Sequence, residues 1–168
     1  YCHDRTVDYD KIKIPAYIGS DWECFGIHLP AAFRSWENLN VPKKMIIGPP
    51  IYLDRPLYQL QHEAIRWFDH WIKGINTGIM DEPPILYYRM VDYATRSGDW
   101  RYADRWPLPD VEKKTLFLHS NGTLSTDFPS HKEASLTYNY DPKNPVPTMG
   151  GRNLFIPAGS MDQRTVEP

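Results

Sequence analysis

The sequence predicts an α/β layer followed by an all-β segment, and three observations lead there. Short β-branched runs alternate with amphipathic helical stripes over the first 74 residues, no such stripe recurs beyond Gly74, and the rest is β-favouring stretches between proline turns. Strand, helix, strand, helix with short connections is a βαβα unit, whose strands are expected to run parallel.

The first strand is expected over residues 12–19, Ile-Lys-Ile-Pro-Ala-Tyr-Ile-Gly, between Asp8-Tyr9-Asp10-Lys11 and Ser20-Asp21. Leu29, Ala32, Phe33, Trp36 and Leu39 then fall at three- and four-residue spacing, with Pro30 suited to a first helical turn. Residues 43–48, Lys-Lys-Met-Ile-Ile-Gly, repeat the strand signature and close on Pro49-Pro50. Leu57, Leu60, Ala64, Phe68, Trp71 and Ile72 form a second helical stripe, with Asp54 and Pro56 at its start and Gly74 at its stop. Pro83-Pro84 introduces a strand at residues 85–91, and residues 115–120 are another. Asn121-Gly122 then reads as a two-residue hairpin turn. Further β-favouring stretches are residues 135–140 and 153–156. The expected division is 1–82 for the α/β part, 83–111 for a linker with connecting strands, and 112–168 for the all-β part.

Composition narrows the function classes. The chain carries 19 basic and 21 acidic residues, a net charge of −2, with a mean hydropathy of −0.56. Its longest nearly apolar stretch runs from Met45 to Leu53, far short of the roughly 20 residues that cross a bilayer. Like charges never run longer than two, so there is no concentrated basic field to neutralise a row of phosphates. Neither a membrane nor a nucleic-acid partner is expected. The 16 prolines would fit disorder, but 23 aromatic residues (6 Trp, 11 Tyr, 6 Phe) are what cores are made of. Cys2 and Cys24 allow one bridge and no disulfide scaffold. A start at Tyr1 without Met, and an end without a capping element, suggest a piece of something longer; cytoplasmic and secreted placement both stay open.

In βαβα sheets, ligands and catalysis gather at the carboxyl ends of the strands. Two loops are thereby singled out: Ser20-Asp21-Trp22-Glu23-Cys24 and Pro49-Pro50-Ile51-Tyr52-Leu53-Asp54.

The stretch Tyr138-Asn139-Tyr140-Asp141-Pro142-Lys143-Asn144-Pro145-Val146-Pro147-Thr148-Met149-Gly150-Gly151 is the most distinctive. Together with Trp106-Pro107-Leu108-Pro109, the strands around Asn121-Gly122, and Trp67-Phe68-Asp69-His70-Trp71-Ile72-Lys73-Gly74, it resembles the cocaine-esterase and X-Pro dipeptidyl-peptidase family of serine hydrolases. The resemblance implies the last βαβα part of an α/β-hydrolase sheet followed by the first strands of a jelly-roll β-sandwich. It also implies a parent enzyme that cleaves esters or amides, on a small-molecule ester, amide or peptide substrate, without a cofactor. Homo-oligomerisation of the full-length protein stays open.

α/β-hydrolases carry their triad in the order nucleophile, acid, histidine, with the serine on a Gly-x-Ser-x-Gly elbow. No such elbow occurs in these residues, so this chain alone is expected to be inactive. The family's acid lies one or two residues after the tryptophan matching Trp22. A gapless match puts Cys24 there and a one-residue shift puts Glu23 there, with Asp21 just before. Only a carboxylate can hold an imidazole in the right tautomer and stabilise its cation, which favours Glu23. The alternative role for Asp21 and Glu23 is capping the helix that follows. The family's Gly-Pro-Trp and nearby His become Gly48-Pro49-Pro50-Ile51-Tyr52, placing Tyr52 where the base belongs, and a tyrosine with a pKa near 10 is a poor base at neutral pH. His62 is the candidate for a relocated base, against its simpler role as a solvated helix residue. Trp22 and Tyr52 are the candidate substrate contacts. Cys24 and Tyr52 at the positions where the resemblance expects the acid and the histidine motivate a second reading, a catalytically degraded binding or scaffold homologue.

His62-Glu63-Ala64-Ile65-Arg66 departs from the zinc signature His-Glu-x-x-His at its last position, where a guanidinium cannot ligate zinc; no metal site is expected. Asn121-Gly122-Thr123 also fits a glycosylation acceptor, although a tight turn explains the same residues.

Overall fold

A computed structural model describes residues 6–26, 28–49, 61–92, 95, 97–130, 134–135, 137–151 and 159–167. The chain divides into two compact units, one of Tyr1–Trp106 with Thr148–Pro168 and one of Pro107–Pro147.

The first unit is built on a four-stranded sheet in the order β1-β2-β3-β4. These strands are β1 (Ala16–Asp21), β2 (Lys43–Gly48), β3 (Ile85–Asp92) and β4 (Ser97–Ala103). β1 and β2 pair in parallel from Ala16↔Lys43 to Asp21↔Gly48, β2 and β3 pair in parallel from Met45↔Ile85 to Ile47↔Tyr87, and β4 returns antiparallel to β3. The first strand begins later than its apolar run suggests. Pro15 has no N–H to give a ladder, so regular pairing starts at Ala16, whose N–H reaches the Pro42 carbonyl at 3.0 Å. β3 and β4 fall within the residues expected to be a linker with connecting strands, yet they complete the main sheet. Gly98 makes their pairing possible, because a Cβ there would lie 2.3 Å from the Arg89 carbonyl oxygen.

Two helices, α1 (Leu29–Asn38) and α2 (Gln61–Trp71), accompany this sheet. Strand alternation sends Met45, Ile47 and Ile85 to one face, where they pack with Leu29 and Ala32 of α1 and with Ile18. Burying each large apolar side chain of this kind contributes about 1.5–3 kcal/mol. The Lys43 ammonium closes the end of α1, donating to the carbonyls of Leu39 (2.5 Å) and Trp36, which would otherwise lack helical partners.

The opposite face carries Tyr17 and Lys44, and it is here that the expected helical stripe is corrected. Phe68 and Ile72 are 54% and 75% exposed, whereas Glu63 and Trp67 are buried. The reason is polar. Lys44 has only 1% of its side chain exposed, and a buried ammonium or hydroxyl must find partners. Lys44 Nζ donates to the Ile79 carbonyl (2.8 Å) and to Glu82 Oε2 (3.0 Å), and Tyr17 donates its hydroxyl to Glu63 Oε2 (3.0 Å). Arg66 joins the two carboxylates, donating to Glu63 Oε1 at 2.7 Å and to Glu82 Oε1. α2 therefore turns Glu63 and Arg66 inward, with the Trp67 ring 5.3 Å from that of Tyr17. Burial, reinforced by the Glu63 charge, raises the Tyr17 pKa far above its ordinary value. Burial acts against the Glu82 carboxylate, but hydrogen bonds and charge from Arg66 and Lys44 outweigh it and lower its pKa.

The first unit also holds a short ribbon, β7 (Gly150–Gly151) with β8 (Gly159–Ser160). The second unit holds the antiparallel pair β5 (Phe117–Leu118) and β6 (Leu124–Ser125). Its hairpin loop is one residue longer than the two expected. His119 N–H bonds the Thr123 carbonyl and Gly122 N–H bonds the His119 carbonyl, both at 2.9 Å. Ser120, Asn121 and Gly122 thus form a three-residue loop, with Gly122 supplying the positive φ of 81° that such a loop needs. Among the described residues of the 135–140 stretch there is no strand, and residues 153–156 lie outside the described residues.

Candidate functional site

The carboxyl ends of β1 and β2 lie side by side, as the βαβα pattern predicts. β1 ends at Asp21, directly opposite Gly48 at the end of β2. The ladder continues one step further, with the Trp22 N–H donating to the Gly48 carbonyl at 3.3 Å.

Beyond Trp22 the chain tightens into a 3-10 turn, Glu23–Gly26. Asp21 builds that turn. Its buried Oδ1 accepts the N–H groups of Glu23 and Cys24, both at 2.9 Å, the capping role weighed for it above. Glu23 is the next carboxylate and is 7% exposed. A carboxylate held out of water on a capped turn is suited to orienting and charging a neighbouring imidazole. Cys24 follows as a half-buried thiol and offers no such charge.

Trp22 is half-buried rather than solvent-facing. Its indole N–H donates to the Tyr88 carbonyl of β3 at 2.6 Å, and its ring centroid lies 6.4 Å from Phe33 and 6.2 Å from Trp106. Ser160 and Gly159 of β8 lie against the Glu23–Gly26 turn, a long-range neighbour that no local pattern signals.

The second loop leaves β2 at Gly48 and Pro49; Tyr52 and Asp54 lie outside the described residues. His62 is on α2 with 66% of its side chain exposed, its Nε2 3.7 Å from Glu63 Oε1. Glu63 is bound to Tyr17, four residues before Asp21 and so about 13 Å along the strand. The structure places His62 at the Tyr17 end of β1 and Glu23 beyond its Asp21 end, and does not bring the two together. No local pattern signals the Tyr17–Glu63–Arg66–Glu82–Lys44 network; its one trace in the sequence is Glu63 followed three residues later by Arg66, which takes the place of the second zinc histidine of the broken motif. Among the described residues no cluster of three or more His, Cys, Asp or Glu side chains could hold a metal ion. No described helix is long and apolar enough to cross a membrane.

Residues 77–164 match the family model of the X-Pro dipeptidyl-peptidase C-terminal non-catalytic domain. The chain belongs to the X-Pro dipeptidyl-peptidase and cocaine-esterase family. Relatives in this family include a Mycobacterium bovis protein bearing the name of a serine esterase, 34% identical over 139 residues, 76% of this chain and 21% of that protein. Cocaine esterase of Rhodococcus is 33% identical over 117 residues, 62% of this chain and 19% of the esterase. Among solved structures, a CocE/NonD family hydrolase from Staphylococcus aureus superposes with a TM-score of 0.63 at 24% identity, over 74% of this chain and 23% of that one, a likeness of fold. The chain thus spans about a fifth of the length of the relatives it matches. The family is one of hydrolases, and Glu23 and its turn precede the segment matched by the non-catalytic domain model.

Proposed function

We propose that this chain forms the acid side of a serine hydrolase that cleaves ester or amide bonds, with Glu23 as the triad acid and Asp21 as the cap that fixes its turn. One observation carries the reading: a buried carboxylate, Glu23, stands on a capped turn at the carboxyl end of a parallel strand, directly beside the end of its neighbour. In this reading, residues 1–82 belong to the end of an α/β-hydrolase sheet that β3 and β4 complete, and residues from about 112 onward begin a jelly-roll sandwich. The serine and its oxyanion-hole donors come from outside these 168 residues, which contain no Gly-x-Ser-x-Gly elbow. His62 lies beside Glu63, which binds Tyr17 near the other end of β1, so this reading assigns the base to the loop after Gly48 or to a segment beyond this chain. The names of the relatives point to esters and X-Pro peptides as the substrate classes.

The mechanism then follows from elementary requirements. The serine hydroxyl attacks the substrate carbonyl as the imidazole takes its proton, and the buried Glu23 carboxylate stabilises the imidazolium and holds its tautomer. The imidazolium then gives that proton to the leaving alcohol or amine as the ester or amide bond breaks, and water, deprotonated by the same base, attacks the acyl-enzyme to release the acid and restore the serine. Treating the longer polypeptide that carries this chain with a fluorophosphonate probe is expected to label a single serine, within a Gly-x-Ser-x-Gly elbow, and an ester substrate should slow the labelling. Absence of any labelled serine would contradict a hydrolase and leave the degraded binding homologue.

A further inference from the structure

We propose that Trp22 is a positioning residue that locks the acid turn to three strands of the sheet at once, a role that rests on the reading of Glu23 as the acid. Its backbone N–H bonds the Gly48 carbonyl at the end of β2. Its indole then passes the end of β2 to reach β3. The β2–β3 pairing ends at Ile47↔Tyr87, and the next carbonyl along β3, that of Tyr88, accepts the indole N–H at 2.6 Å. The indole thus acts as an added rung beyond the last ladder pair.

The ring is held as firmly as its N–H. Phe33 of α1 and Trp106 flank it, and those two stack on each other at 5.2 Å, while Trp106 also meets Tyr87 edge-on at 5.6 Å. An indole suits this place because it combines a large apolar body with one donor at its rim. The residue before Glu23 is therefore anchored to β1, β2, β3 and α1, and the residue after it is held by Asp21. Gly48, the β2 anchor, opens the loop that is expected to face the acid. Loosening Trp22 should let the carboxylate drift relative to the imidazole, a displacement that lowers turnover without touching substrate affinity.

The test compares Trp22→Phe with Trp36→Phe in the longer polypeptide. Trp36 packs on the same core, but its ring meets Lys43 at the amino end of β2 and not the carboxyl ends where the acid turn stands, so it controls for lost aromatic packing. Trp22→Phe is expected to lower kcat about tenfold, the worth of one well-made hydrogen bond, with KM little changed. It should also speed amide hydrogen exchange at Glu23 and Cys24. The acid limb of the kcat profile should move to lower pH, the direction Glu23→Gln also takes, because an imidazolium less well supported by its carboxylate loses its proton more readily. Should the phenylalanine variant fail to fold, benzothienylalanine at position 22 removes the N–H donor while keeping the ring shape. A rise in KM alone would make Trp22 a substrate contact and overturn the proposal. Faster exchange with unchanged kcat would reduce it to packing and overturn it equally, as would no change in either. If Glu23→Gln leaves turnover untouched, the acid assignment falls by that result, and the positioning role falls with it whatever the exchange data show.

Discussion

In the longer polypeptide that carries this chain, Glu23→Gln is expected to lower ester or amide turnover by about a thousand- to ten-thousandfold, with little loss of stability. The amide keeps the size of the side chain but can neither carry the charge that supports an imidazolium nor enforce the tautomer a base needs. Glu23 differs in this from Asp21, the other carboxylate at the end of β1. Asp21 Oδ1 is occupied by the N–H groups of Glu23 and Cys24, so Asp21→Ala should chiefly loosen the turn, at about 1 kcal/mol of stability. Asp21→Asn keeps an oxygen for both donors and should be milder still. Steady-state kinetics and chemical denaturation of the three variants separate the roles. A larger catalytic loss in Asp21→Asn than in Glu23→Gln would exchange the assignments.

The second large effect is on the fold. Lys44→Ala is expected to destabilise this chain by about 3 kcal/mol, measured as a shift in its urea midpoint at constant slope. The substitution removes an ammonium that binds the Ile79 carbonyl and Glu82, together with the buried stem beneath it. Lys44→Met should lose less, since it keeps the stem and leaves Glu82 with Arg66 as its cation. The same network sets a pH dependence. Burial opposes the Glu82 charge, yet Arg66 and Lys44 lower its pKa below that of the unfolded chain. The native state then binds this proton less readily than the unfolded state. The Glu82 contribution to stability is complete above an unfolded value of about 4.3 and is lost as the pH falls through the lower native value. Glu82→Gln should flatten that acid limb while lowering stability near neutrality.

Local patterns made much of the first unit legible. Lys43–Gly48 and Leu29–Asn38 occupy the places their periodicity assigns, because a continuous apolar run and a three- and four-residue stripe each have one packing solution against a parallel sheet. The buried face of α2 departs from its apolar stripe for a physical reason. Phe68 and Ile72 are the more hydrophobic residues, but Lys44 and Tyr17 on the facing strands require polar partners, and the helix turns Glu63 and Arg66 toward them. That demand comes from side chains up to 46 residues away, beyond the reach of any windowed pattern. The hairpin after Leu118 was legible from Asn121-Gly122, but its loop length depends on which carbonyls His119 and Gly122 find.

At the site, topology did most of the work. A βαβα order puts the end of β1 next to the end of β2, which is where Asp21, Trp22 and Glu23 stand. That Asp21 is the carboxylate that caps the turn is visible only in the two bonds to its Oδ1. The strap role of Trp22 needed the Tyr88 carbonyl, 66 residues away.

The most direct test of Glu23 as the acid is a crystal structure of the fluorophosphonate adduct of the longer polypeptide, read at the Glu23 carboxylate. A Glu23 Oε atom within about 3 Å of an imidazole N–H, with the other imidazole nitrogen facing the phosphonylated serine, is the expected result. An imidazole held by a different carboxylate, with Glu23 pointing away from it, would contradict the assignment.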